Sequence, residues 1–122
     1  MGKIKIIATL ESSETNIENI SNGTKEDNII KYEEPDSTVV TLNTKDNILI
    51  RENQSLLMTF RFDENEITEN KMSIKELNQE LIIMIKTVSI ICKENYYKVE
   101  YEIIDNDKFK YILEMSEDSE CN

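Results

Sequence analysis

Apolar and polar residues alternate with a period of two along most of the chain, and turn-forming residues break the alternation about every eight to twelve positions. Successive side chains of a strand point to opposite faces, so this pattern reads as a series of half-buried β-strands. It predicts strands near 3–11, 16–22, 27–34, 37–44, 46–52, 55–62, 79–92, 95–104 and 108–116. Breaks fall at Glu34-Pro35-Asp36, Lys45-Asp46-Asn47, Asp63-Glu64-Asn65 and Asp105-Asn106-Asp107. Many short, evenly spaced strands point to an all-β sandwich or barrel.

The clearest pair lies near the C-terminus, in YYKVEYEIIDNDKFKYILEM from Tyr96 to Met115. Taking Asp105-Asn106-Asp107 as a three-residue loop, Ile103 faces Phe109, Tyr101 faces Tyr111, Val99 faces Leu113 and Tyr97 faces Met115. Lys98, Glu100, Glu102, Lys108, Lys110 and Glu114 then share the opposite face, with Ile112 the apolar exception. A one-residue slip would set oily against charged side chains throughout, so the pattern itself pins the faces.

The stretch from Leu81 to Cys92 differs, because both of its faces are apolar. Leu81, Ile83 and Ile85 fall on one side and Ile82, Met84, Val88 and Ile90 on the other. Such a strand calls for cover on both faces, from a helix or a second subunit. Ser73-Ile74-Lys75-Glu76 has capping-box spacing, with Ile74, Leu77 and Leu81 at helical intervals. A short helix over 73–80 therefore competes with a strand.

Composition narrows the classes. At 122 residues and 39% hydrophobic, the chain suits one domain, here 1–116, followed by an acidic tail over 117–122. The longest apolar run, Leu81-Ile82-Ile83-Met84-Ile85, is far shorter than the roughly 20 residues of a membrane-spanning helix. Met1-Gly2-Lys3-Ile4-Lys5 begins no secretory signal pattern, and Ile6 stands where myristoylation wants Ser or Thr, so a cytoplasmic location is expected.

Twenty-five acidic against fourteen basic residues give a net charge of -11, with Arg51 and Arg61 the only arginines. Nucleic acids and anionic membranes, which are bound through Lys and Arg, are disfavoured as partners. No histidine is present, which excludes Ser-His and Cys-His nucleophilic pairs and His-ligated metals. Gly2 and Gly23 alone cannot build a phosphate-binding glycine loop. Cys92 and Cys121 lack CxxC spacing and read as a buried thiol and a free thiol in the tail. Asp63-Glu64-Asn65-Glu66 does not continue as a calcium loop, because Ile67 and Thr68 occupy the next positions. No cofactor or metal is expected.

Several stretches, taken in order, resemble the YwiB-like family, domain of unknown function 1934. They are Lys3-Ile4-Lys5-Ile6, Tyr32-Glu33-Glu34 ahead of the Thr-rich 38–42 strand, Ile50-Arg51, Met58-Thr59-Phe60, the long apolar strand ending at Thr87, and the final pair of strands. The resemblance implies an antiparallel, up-and-down, calycin- or lipocalin-like β-barrel of about eight to ten strands. It implies no catalytic residues. Where family members carry a Thr-Pro-Tyr-Gly turn, this chain reads Glu76-Leu77-Asn78-Gln79, which predicts an altered barrel mouth.

A barrel of that size is either filled by side chains or holds one small ligand. Tyr97, Tyr101 and Tyr111 put hydroxyls on the inward face, and the family's strand order adds Arg51 and Thr87, so these five are the candidate ligand-binding residues. Two other readings compete. One is a non-catalytic interaction protein, a homodimer through the 81–92 strand or a binder of a basic partner through its acidic tail. The other is a metal-dependent phosphohydrolase whose Glu100, Glu102, Lys98, Lys108 and Lys110 line a charged tunnel, which requires the last hairpin to turn its charged face inward.

Overall fold

The computed structural model describes residues 2–117. Ten strands form one closed antiparallel barrel in which each strand pairs with its sequence neighbours. They are β1 (Gly2–Glu11), β2 (Asn16–Glu26), β3 (Ile29–Glu33), β4 (Val39–Asn43), β5 (Ile48–Glu52), β6 (Leu56–Arg61), β7 (Ile67–Ile74), β8 (Gln79–Lys93), β9 (Tyr96–Ile103) and β10 (Lys108–Glu117). β1 pairs with β10 from Ile4↔Glu117 to Glu11↔Lys110 and so closes the cylinder. Closure gives every strand a neighbour on each side, although residues 16–22 of β2 pair with β1 alone and residues 79–84 of β8 with β7 alone. Residues 118–122, and with them Cys121 and most of the acidic tail, lie outside the described residues.

The alternation places Ile4, Ile6, Ala8, Ile30, Tyr32, Val40, Leu42, Leu49, Phe60, Ile85, Tyr97, Val99, Tyr101, Tyr111, Leu113 and Met115 inside. Turn chemistry compensates for the scarcity of glycine. Asp27, Ser37, Asn47, Asn65, Asn78 and Asp105 all have positive φ, and all sit in interstrand turns. Asn and Asp tolerate this left-handed conformation better than other side chains because their short polar groups bond locally. Gly23 answers a different need. A Cβ there would lie 2.5 Å from the Lys31 carbonyl oxygen and 2.6 Å from Ile6 Cδ1, so β2 crosses β3 and the core closely only because this position has no side chain.

Several expectations need correction. β7 was not predicted, and the helix competing for 73–80 is a single 3-10 turn, Lys75–Leu77, without a side-chain cap. Ser73 belongs to β7 and pairs with Glu80 of β8. The alternation of β7 is hidden because the buried Asn70 occupies an inward position; its side-chain oxygen accepts from the Arg61 N–H at 2.6 Å, and its amide donates to Thr68.

In the last hairpin, Phe109 faces Tyr101, Tyr111 faces Val99 and Leu113 faces Tyr97, two positions from the expected register. The three-residue loop is 104–106, closed by the Ile103 N–H donating to the Asp107 carbonyl, with Asp105 left-handed. A shift of two preserves every facing, so the inward residues are those expected.

Finally, a β-bulge between Thr87 and Ser89 reverses the facing of β8 midway. Ile90 therefore packs against the core with Ile83, while Leu81, Ile82, Met84 and Val88 remain exposed, with no covering layer among the described residues. Cys92, expected buried, is exposed. No helix among the described residues is long and apolar enough to cross a membrane.

Candidate functional site

In an up-and-down barrel the turns alternate between the two ends. The β1–β2, β3–β4, β5–β6, β7–β8 and β9–β10 turns ring one end. The middle of the barrel is filled by fully buried Ile6, Ile30, Val40, Leu42, Ile85 and Leu113. Towards that ringed end the packing gives way to a cavity of about 330 Å³. Its apolar wall comes from Ala8, Leu10, Leu49 and Phe60, and its polar groups are Asn19, Glu34, Asp36, Arg51, Tyr101 and Tyr111.

Each polar group arrives by strand parity. Arg51 stands two residues after inward Leu49 on β5, and Glu34 two residues after inward Tyr32, just past the end of β3. Arg51 Nη2 donates to Glu34 Oε1 in a partly buried ion pair. The Arg51 Nε–H is buried and has no hydrogen-bond partner among the described residues. An unpaired buried donor forfeits about 1–3 kcal/mol, so this group favours an acceptor. Burial disfavours the Arg51 charge, but the Glu34 carboxylate more than offsets it, and the guanidinium's pKa rises above its ordinary value.

The tyrosines surround this pair. The Tyr111 and Tyr32 hydroxyl oxygens lie 2.6 Å apart, one donating to the other. Burial pushes the Tyr32 phenol up to about 12, against the hydrogen bond from Tyr111, and lifts Tyr111 well above 10. Burial also raises Tyr101 to about 12, opposed by the charge of Arg51. These phenols are therefore neutral donors at physiological pH. Tyr101 sits in an aromatic group, with ring centroids 6.3 Å from Phe60, 5.1 Å from Phe62 and 5.5 Å from Phe109.

Of the five candidate residues, three line this cavity: Arg51, Tyr101 and Tyr111. The other two are placed elsewhere. Tyr97 is fully buried, and its hydroxyl donates to Asn47 Oδ1 at 3.1 Å, bracing the β4–β5 turn at the opposite end. Thr87 is also fully buried, and its hydroxyl accepts from the Asp63 N–H at 3.2 Å, holding the β6–β7 connection. Tyr32, Glu34, Asn19 and Phe60 were not among the candidate ligand-binding residues that the sequence suggests. For Tyr32 and Glu34 the signal was present in their shared parity with Ile30.

Electrostatics limit what the cavity accepts. Among the described residues Arg51 is the one cation on its wall, Glu34 already neutralises it, and Asp36 adds a second carboxylate at the rim. A further carboxylate at about 4 Å from Glu34 would be repelled by about 4 kcal/mol at an effective dielectric near 20, which cancels the attraction of Arg51 at the same distance. The hairpin turns Lys98, Glu100 and Lys110 to the outer wall, where Glu100 bridges Lys98 at 3.6 Å and Lys110 at 3.5 Å. The charged tunnel that a phosphohydrolase would need is not formed by these side chains. Among the described residues, no three His, Cys, Asp or Glu side chains are grouped as a metal site requires.

No protein-family model and no curated protein matches this chain. Among solved structures, the ywiB protein from Bacillus subtilis is similar, with a TM-score of 0.62 over 96% of this chain and 91% of that one, at 14% sequence identity. A likeness at that identity concerns the fold alone. It bears out the YwiB-like architecture across nearly the whole chain.

Proposed function

We propose that the protein binds a small molecule in the cavity at the ringed end of the barrel. The observation that carries this reading is the buried, unpartnered Arg51 Nε–H beside a cavity of about 330 Å³. That volume lies within the range of about 300–1,000 Å³ typical of ligand pockets, and a mostly apolar lining with a few converging polar groups is their usual make-up. The test is a fragment screen followed by amide NMR shifts. Binding should move the amides of Leu49, Arg51, Tyr101 and Tyr111, and Leu10→Trp, which fills the cavity, should abolish the effect. Shifts confined to the outer wall, or unchanged in Leu10→Trp, would end the proposal.

A second reading rests on the uncovered stripe of β7, the 3-10 turn and β8. Ile67, Leu77, Ile82, Met84 and Val88 are all exposed, Ile82 and Leu77 at 63%. Glu69, Lys71 and Lys86 flank it, pairing across the strands with Met84, Ile82 and Ile67. Charges of both signs beside an apolar band suit a two-fold contact with a second copy of the chain. Light scattering should then give twice the chain mass, reduced to one chain mass by Ile82→Glu. A monomer at high concentration would dismiss the homodimer.

A further inference from the structure

The geometry points to a ligand class for the proposed cavity: a neutral, ring-sized molecule with a carbonyl-type acceptor, whose oxygen takes the Arg51 Nε–H. This deepens the small-molecule reading and rests on it.

Four observations converge. The first is the donor itself, since Arg51 spends Nη2 on Glu34 and leaves Nε–H buried and unanswered. An ammonium or other pure donor cannot satisfy it, because the missing partner is an acceptor. The second is charge. Glu34 neutralises Arg51, Asp36 stands at the rim, and the whole chain carries -11, so an anion gains no net attraction at the contact and meets repulsion on approach. A neutral carbonyl supplies the acceptor without either penalty.

The third observation is shape and surface. Phe60 and Tyr101 present ring surfaces 6.3 Å apart between centroids, and both line the cavity, with Leu49 and Ala8 completing an apolar wall. The two rings pack on one another as a tilted pair and so form one aromatic patch of the wall, a surface that a ring-bearing ligand contacts favourably. The fourth is size. A cavity of about 150 Å³ is enough for benzene, so about 330 Å³ accommodates one or two rings with a polar substituent. One of the two hydroxyls in the Tyr32–Tyr111 pair must accept from the other, so its own hydrogen is free to donate as well.

The experiment compares four probes that share a ring and differ in one substituent: benzamide, benzoate, benzylammonium and toluene. Each is titrated at neutral pH while the amides of Arg51, Tyr101 and Tyr111 are followed by NMR. Benzamide should bind at least tenfold more tightly than each of the others. The Arg51→Met/Glu34→Gln double variant removes donor and counter-charge together, and should bring benzamide down to the level of toluene while toluene is unchanged. Benzoate ahead of benzamide would show an anion site, and benzylammonium ahead would show a cation site. Equal binding of benzamide and toluene would remove the role of Arg51. Each of those outcomes overturns the ligand class and leaves the cavity reading standing. If none of the four binds while the wider fragment screen yields cavity ligands, the class is likewise wrong. Silence in both experiments would overturn the cavity reading, and this inference with it.

Discussion

At the scale of single residues, the interior is governed by how its few polar groups find partners. The Tyr32–Tyr111 contact shows the rule, since two phenols buried in an apolar barrel satisfy one another at 2.6 Å. Removing one hydroxyl strands the other, whereas removing both leaves two apolar rings of nearly the same shape. Tyr111→Phe and Tyr32→Phe should each cost about 1–3 kcal/mol, and the double variant clearly less than their sum. Urea denaturation of the four proteins as a double-mutant cycle measures this, and simple additivity would show that the hydroxyls are not coupled. Arg51 is the contrasting case, because its ion pair with Glu34 still leaves a buried donor unanswered. A group left so at the wall of a cavity points to a ligand more sharply than the neighbouring tyrosines do.

At the scale of elements, β8 shows why an apolar strand need not be a covered one. Its bulge at Thr87/Ser89 lets Ile83, Ile85 and Thr87 face inward before the kink and Ile90 after it. The β6–β7 connection is strapped across this irregular point. Asn65 N–H donates to the Thr87 carbonyl, Thr87 N–H to the Glu66 carbonyl, and Glu64 Oε2 accepts from Ile90 N–H at 2.9 Å. The Thr87 hydroxyl completes the strap through Asp63. Thr87→Val keeps the shape and removes the acceptor, so it should destabilise by about 1–3 kcal/mol, with Thr87→Ser close to the parent protein. Hydrogen exchange should show Asp63 and Ile90 losing protection first. Unchanged exchange there would mean that the hydroxyl does not hold the strap.

At the scale of the whole molecule, buried phenols make stability depend on alkaline pH. Tyr32 and Tyr101 are raised to about 12, and Tyr97 and Tyr111 are also raised, against 10.0 for an ordinary tyrosine, with burial the main cause in each case. The unfolded chain releases these protons near pH 10 while the barrel holds them. Their contribution is therefore fully present below pH 10 and is lost as pH rises towards and through 12. The urea midpoint should be unaffected by these groups up to about pH 10 and fall steeply beyond it. Phenolate absorbance of the buried tyrosines should appear together with the loss of the β-sheet circular dichroism. Full phenol ionisation with the barrel intact would contradict their burial.

Nine of the ten strands and most inward facings were legible in the sequence, because a period of two fixes which side chains turn inward whatever the neighbours are. That is why Tyr101 and Tyr111 were found, and why a register error of two positions in the last hairpin cost nothing. Some features depend on contacts between distant segments and were not legible. β7 was hidden because Asn70 is paid for by the Arg61 backbone, nine residues away. Tyr97 and Thr87 share the inward face with the cavity residues, but closure of the barrel puts Tyr97 at the opposite end and ties Thr87 to the Asp63 backbone. The alternation by itself determined an all-β sandwich or barrel with an oily inside and a charged outside, and the family resemblance pointed to the barrel. Only the tertiary structure decided where that inside is filled and where it is hollow, because alternation sets the direction of side chains and three-dimensional packing sets the space left between them.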